Sequence, residues 1–258
     1  MQNLFNDLIL SIVQAITELF PISSSGHLII ASDIFHIPIN QLLMTFLHFW
    51  TALAIIAFYF KTLIEMLKTK EGLIKLLILG IATIPAALAG VLFDNYFEIL
   101  FYSLLVIGIN SVFWGIIMII VEKKYNEKKF KPLFKSEFLE IIVIGIAQTL
   151  ALIPGTSRSG VTTLTGLVIG KDKKESLDIA FLLGIPITLG PFIIEAYKAR
   201  TELHNFLTPQ MLIAGVTTFV VGFFAIKMLT LLKEKNYMTG FGIYRVILGL
   251  VLILITIF

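Results

Sequence analysis

Pro154-Gly155-Thr156-Ser157-Arg158-Ser159-Gly160-Val161-Thr162 separates two apolar runs, 138–153 and 164–169, and its reading decides the fold. Neither run reaches the roughly 20 residues that a helix needs to cross a bilayer. Between them stand a helix breaker, two glycines, four hydroxyls and one arginine. An arginine at membrane depth costs about 2.5 kcal/mol or more, so it must line a wet cavity or meet an anion. Its planar fork of donors, the neighbouring hydroxyls and the free N–H groups of a helix start together suit an oxyanion, phosphate above all.

The rest of the chain makes membrane depth the right frame. Of 258 residues, 57% are hydrophobic and 14% charged, and the mean hydropathy is +0.95. So much apolar surface exceeds what a soluble core absorbs, and the apolar runs are continuous rather than alternating. The composition therefore predicts an all-α integral membrane protein and excludes an outer-membrane barrel. There is no cysteine, which excludes thiol chemistry, disulfides and cysteine-bound metal. The net charge of +3 carries no sign of nucleic-acid binding, because the basic residues cluster by topology. No Lys or Arg precedes Lys61, so the N-terminus does not read as a usual cleavable signal.

A second broken stretch lies near the start. Residues 4–20 are apolar but carry Gln14 and Glu18; Pro21-Ile22-Ser23-Ser24-Ser25-Gly26-His27 then interrupts them, and 28–35 is apolar and short. Residues 1–35 thus read as a re-entrant hairpin with a polar tip at depth, which is tolerated only against protein or a wet cavity. Six longer runs follow, at about 41–60, 76–93, 100–121, 177–197, 209–232 and 239–258, with the second short pair at 137–153 and 160–170.

The positive-inside rule orients this layout. Lys61, Lys68, Lys70, Lys75, Lys123, Lys124, Lys128, Lys129, Lys131, Lys135, Lys171, Lys173, Lys174, Lys233 and Lys235 fall on one side, against Lys198 and Arg200 on the other. Six transmembrane helices and two hairpins that return to the side they entered satisfy that bias, with both termini extracytoplasmic. Glu18-Leu19-Phe20-Pro21-Ile22-Ser23-Ser24 also matches Ala151-Leu152-Ile153-Pro154-Gly155-Thr156-Ser157 at an offset of 133. Three spans separate the hairpins, so the halves, about 1–125 and 135–258, form an inverted-topology repeat within a single membrane domain, 1–258. Such repeats place their site near the midplane, where the two breaks meet.

Gln14 and Glu18, four apart, share a helix face, and a carboxylate in an apolar helix needs a partner or a task. With Ser23, Ser24, Ser25 and His27 they supply a nucleophile, an imidazole and a carboxylate; the second break adds Ser157, Arg158, Ser159 and Thr162. This set suits attack on a phosphoryl group. A divalent metal on Glu18 is a further expectation, though one carboxylate and an amide make a thin site unless substrate phosphates complete it. Ser25 and Ser159 either join the site or bond a backbone carbonyl. His48 reads as a packed histidine near the outer end of its span, Glu195 as reaching the interface, Asp178 as opening a span, and Arg245 as snorkelling to the inner surface.

Taken together, the two broken stretches resemble the signature motifs of the undecaprenyl-pyrophosphate phosphatases of the bacitracin-resistance type. The resemblance covers essentially the whole chain. It implies six spanning helices with two re-entrant helical hairpins, a plasma-membrane enzyme, and a homodimer. It also implies hydrolysis of undecaprenyl pyrophosphate to the monophosphate and orthophosphate, which recycles the carrier lipid of peptidoglycan synthesis. Residue by residue, it points to Glu18, Ser24, His27 and Arg158 as catalytic. Gln14, Ser23, Gly155, Thr156, Ser157 and Thr162 would bind the substrate, and Mg or Ca would be the metal. Ser24 is the expected nucleophile and His27 the proton shuttle or, failing Ser24, the nucleophile itself. Gln14 stands where many members have a second glutamate, and Trp50 where the family has glycine, narrowing the wall of the lipid groove. The competing reading is a transporter or lipid flippase with a midplane anion site; the Ser24, His27 and Glu18 set, which transport does not require, discriminates against it.

Overall fold

The computed structural model describes residues 4–93, 103–127, 130–232 and 236–258. Among these residues the chain is helical and has no strand. Six helices among the described residues are long and apolar enough to cross a membrane: α3 (Gln41–Phe58), α5 (Lys70–Leu92), α6 (Leu104–Asn126), α9 (Lys173–Lys198), α11 (Pro209–Leu232) and α12 (Tyr237–Ile257). Two pairs of shorter helices stand apart from them, α1 (Leu4–Leu19) with α2 (Ser24–Phe35), and α7 (Glu137–Ala147) with α8 (Arg158–Val168). A 3-10 turn, Gln148–Leu152, closes α7 before the second break. Of the lysines that orient the chain, Lys128, Lys129, Lys233 and Lys235 lie outside the described residues.

The charged segment between the first two spans is itself helical. α4 (Phe60–Lys68) buries no residue, and α5 starts at Lys70, behind a Thr69 cap whose hydroxyl accepts the Gly72 N–H at 3.1 Å. Lysine and glutamate are good helix formers, so the helix runs on past the apolar stretch that periodicity detects. A short helix, α10 (Leu203–Phe206), precedes α11.

α6 and α12 approach through small residues. A Cβ on Gly115 would lie 2.7 Å from the Gly242 carbonyl oxygen, and one on Gly249 would lie 2.5 Å from that of Gly108. In lipid, where apolar burial gives no net drive between helices, such close backbone contact is what holds a pair together. α1 packs on α11 and α2, α3 lies between α9 and α11, α7 packs on α5, and α8 on α9. At one loop Lys171 pairs with Glu140 and Glu175, each at 2.6 Å, tying the start of α7 to the start of α9. Burial works against that charge, but the hydrogen bonds and fields of the two carboxylates outweigh it and hold the ammonium above the ordinary lysine range.

One charged residue departs from its sequence reading. Arg245 does not snorkel: it is fully buried. Its Nη1 donates to the carbonyls of Pro21 at 3.1 Å and Thr156 at 2.9 Å, and its Nη2 to that of Gly155 at 2.5 Å. Each break leaves carbonyls without an intrahelical donor, and one guanidinium fork satisfies three of them, drawn from both breaks. Asp178 lies within α9 and accepts the Tyr59 hydroxyl at 2.6 Å.

Candidate active site

The two breaks share a backbone. Ser23, which precedes α2, has φ 74° and ψ 98° and makes no side-chain cap bond; Ser157, which precedes α8, has φ 74° and ψ 110° and caps it. Ser23 and Ser25 hydroxyls lie 3.4 Å apart, and so do those of Ser157 and Ser159. The conformational match pairs Ser23 with Ser157, an offset of 134 rather than the 133 of the sequence match. Gly155 is the extra residue. It takes φ +88°, and a Cβ there would meet the Ile107 carbonyl at 2.8 Å, so glycine is required on both counts.

Glu18, at the end of α1, gathers the polar side chains of both breaks. Its Oε1 receives Arg158 Nη2 at 2.8 Å. Its Oε2 receives the Ser24 hydroxyl at 2.5 Å and faces His48 Nε2 at 3.2 Å, with Gln14 Nε2 at 3.5 Å. Arg158 Nη1 donates to the Ala180 carbonyl at 2.8 Å, and Gly184 leaves room for the guanidinium, since a Cβ there would collide with it. Ser159 bonds backbone, donating to the carbonyls of Glu18 at 3.3 Å and Phe20 at 3.2 Å and so tying the second break to the first.

The remaining candidates divide. The Thr162 hydroxyl donates to the Arg158 carbonyl at 2.7 Å, and the Ser157 hydroxyl accepts the Gly160 N–H at 3.2 Å; both are engaged within α8. Among the described residues, the Thr156 hydroxyl, Gln14 Oε1 and the Nε atoms of Arg158 and Arg245 are buried without a hydrogen-bond partner. His27 makes no hydrogen bond to Ser24 or Glu18 among the described residues. Its Nδ1 lies 2.7 Å from the Ser23 carbonyl and its Nε2 2.7 Å from the Tyr244 hydroxyl, with the two rings stacked. A carbonyl only accepts, so Nδ1 carries the proton and Nε2 receives that of Tyr244.

His48 corrects the sequence reading: it reaches the site instead of packing blandly at the end of its span. It recurs with Thr45 and Thr51 at three-residue intervals, a polar stripe down an otherwise apolar helix, and that stripe was the available signal. Trp50, two residues on, fills a notch at Gly215, where any side chain would collide with the indole. It meets Phe46 and Phe49 edge-on, and both of these rings also meet Phe192.

The donor set tests the expected metal. Both oxygens of Glu18 already face donors, one of them a guanidinium that would repel a cation. Among the described residues no group of three or more His, Cys, Asp or Glu is arranged to hold a metal. These side chains do not fit a protein-held divalent ion on Glu18.

A hydroxyl donating to a carboxylate, which is itself held by a guanidinium, where two broken helices meet inside six apolar spans, defines a multi-pass membrane protein equipped for chemistry on an anion. The comparisons with known proteins make that class particular. The family described as bacitracin resistance protein BacA matches residues 7–251. An undecaprenyl-diphosphatase of Enterococcus faecalis is 35% identical, covering 97% of this chain and 96% of the relative. One from Thermosipho africanus is 34% identical over 95% and 98% of the two chains. An undecaprenyl-diphosphatase 1 from Clostridioides difficile is 34% identical over 97% and 95%. The chain belongs to the bacitracin resistance protein BacA family.

Proposed function

We propose that the protein is a membrane phosphatase that hydrolyses undecaprenyl pyrophosphate to undecaprenyl phosphate and orthophosphate, so recycling the carrier lipid of cell-wall synthesis. The family and its undecaprenyl-diphosphatase relatives support the activity. The observation that carries the chemistry is the 2.5 Å hydrogen bond from Ser24 to Glu18, beside the Arg158 ion pair.

In this reading Ser24 Oγ attacks the terminal phosphorus, and its proton passes to Glu18 Oε2. The bond from that phosphorus to the bridging oxygen breaks, and undecaprenyl phosphate leaves. The proton on Glu18 passes to the departing phosphate. Water then attacks the phosphoserine phosphorus and gives a proton to Glu18, the P–Oγ bond breaks, Glu18 returns that proton to Ser24 Oγ, and orthophosphate is released. Arg158 exchanges Glu18 for the phosphate and stabilises the charge that develops in transfer. The unpartnered Thr156 hydroxyl and Arg158 Nε are buried donors available to phosphate, and the starts of α2 and α8 add their positive helix ends. Ser157, Thr162 and Gly155 shape the second break, and Ser23 the first. Gln14 orients Glu18. His27 holds the first break through the Ser23 carbonyl, and the proton-shuttle role falls to Glu18. A divalent cation, Mg or Ca, enters only with the pyrophosphate oxygens, and no step is assigned to it.

The same reading makes each short pair a re-entrant hairpin and the halves an inverted repeat. It places the protein in the bacterial inner membrane with both termini outside, as a homodimer. The shared backbone of Ser23 and Ser157 supports the repeat, and the lysine asymmetry supports the orientation. Transport alone has no use for a serine bonded to a buried carboxylate, so the flippase reading is not retained. The test is phosphate release from a polyprenyl pyrophosphate by the purified protein, with and without chelator, beside Glu18→Gln. Turnover by wild type that persists in Glu18→Gln overturns the assigned base.

A further inference from the structure

His48 was read from sequence as packing, and no motif of the family resemblance includes it. Its geometry is that of a residue acting on Glu18. Nδ1 lies 2.7 Å from the Met44 carbonyl, which only accepts, so Nδ1 carries a proton. Nε2 lies 3.2 Å from Glu18 Oε2. Two lone pairs would repel at that distance, and the carboxylate already accepts from Ser24 and Arg158, so the proton between Nε2 and Oε2 is on Nε2, which donates. The Met44 bond fixes the ring against its own helix, four residues back, and so gives Nε2 a set direction.

Glu18 has no comparable anchor in its own helix. Its carboxylate hangs between Arg158 on Oε1 and a group of donors on Oε2: Ser24, His48 and, more distantly, Gln14. Arg158 must turn to the phosphate during reaction. Once it does, the carboxylate keeps the orientation that aims Oε2 at Ser24 only through its remaining donors. Among these, His48 alone is braced by backbone outside the two breaks.

We propose that His48 is a positioning residue, which holds Glu18 Oε2 toward the Ser24 hydroxyl through a hydrogen bond from Nε2. The proposal rests on the phosphatase reading and adds to it the residue that keeps the base in place when Arg158 leaves. Positioning asks for a donor at Nε2, not for a titrating ring. A glutamine, whose amide N–H can reach the same oxygen, therefore serves where leucine cannot.

The experiment compares His48→Leu and His48→Gln with wild type in detergent, after equal elution volume and melting temperature confirm folding. Phosphate release is followed against polyprenyl pyrophosphate concentration. His48→Leu is expected to lower kcat roughly 10²-fold with KM within about threefold, the pattern of an interaction needed in the transition state. His48→Gln is expected to recover activity to within about fivefold of wild type. In parallel, infrared difference spectra against Glu18→Gln isolate the Glu18 carboxylate stretch, with no need for turnover. That band is expected to shift in His48→Leu and to stay in His48→Gln. An unmoved band in His48→Leu, or full activity of that variant, overturns the proposal. A Gln variant as inactive as the Leu variant overturns it too, because it would make His48 a proton carrier. If wild type releases no phosphate, the phosphatase reading falls, while the infrared band still decides whether His48 positions Glu18.

Discussion

The two helix breaks have the same backbone and carry different chemistry. Ser23 and Ser157 adopt the same rare positive φ of 74°, each one residue before a helix begins. At the second break the serine hydroxyl caps its helix by accepting the Gly160 N–H; at the first, the Ser23 hydroxyl makes no such bond. The next residue differs as well. Arg158 reaches out of the capped break to grip Glu18 of the other, and Ser24 turns from the uncapped break to the same carboxylate. A capped, glycine-padded break makes a rigid support for a cation. An uncapped one leaves a helix start, with its positive end, open beside the nucleophile.

The sharpest way to break that comparison is to change the side chain that each break sends to Glu18. Ser24→Ala is expected to lower turnover by more than about 10⁴-fold, since the covalent route itself is lost. No phosphoenzyme should be trapped from substrate labelled in the pyrophosphate. A trapped phosphohistidine at His27, with Ser24→Ala still active, would reassign the attack. Next in size is Arg158→Lys, which keeps the charge but loses the planar fork that holds Glu18 with one nitrogen and the Ala180 carbonyl with another. A fall of roughly 10²–10³-fold in kcat is expected, with normal membrane insertion. Near-normal turnover by the lysine variant would mean that a point charge suffices.

These residues were legible because an arginine and a carboxylate in apolar helices need a partner, and each break supplied the other's. The six long apolar helices were legible for a similar reason: composition and run length leave few options in a bilayer. Less visible was anything that depends on direction rather than depth. Arg245 and His48 both lie in long apolar runs, where periodicity says only that they are within a span. Whether such a side chain turns to the surface or inward is decided by unsatisfied groups on helices far away in sequence, here the carbonyls of Pro21, Gly155 and Thr156 and the carboxylate of Glu18. His27 shows the converse. Its nearness to Ser24 in sequence suggested a shared site, yet its ring turns to Tyr244. The one-residue slip between the two breaks was hidden because their prolines align at one offset and their positive-φ serines at the next.

Arg245 joins the two breaks, so its loss should affect both at once. Arg245→Met would strand three buried carbonyls. At about 1–3 kcal/mol for each lost charge-assisted bond, the fold should weaken by at least about 3 kcal/mol. Melting in detergent measures this. A melting temperature unchanged from wild type would show that water replaces the guanidinium and that the breaks are not held together there.

The smallest effects separate the two serines most cleanly. A positive φ outside the usual left-handed helical well costs a non-glycine residue about 1–3 kcal/mol, and glycine relieves it at both positions. At Ser23 only the 3.4 Å contact with the Ser25 hydroxyl is set against the relief, because the hydroxyl caps no N–H; Ser23→Gly should raise stability by about 1 kcal/mol. At Ser157 the same relief is set against the cap on Gly160. Replacing a capping serine by glycine loses only a few tenths of a kcal/mol; the contact with the Ser159 hydroxyl is lost too, as its counterpart is at Ser23, so the cap is what differs. Ser157→Gly should therefore gain less than Ser23→Gly, by about 0.5 kcal/mol, and Ser157→Ala, which loses the cap and keeps the strain, should lose about 1 kcal/mol. Ser23→Ala should be near neutral. Thermal melts of the four variants test the ranking. Equal shifts for the two alanine variants would mean that the caps do not differ, and the contrast between an open and a closed break would then rest on Ser24 and Arg158 alone.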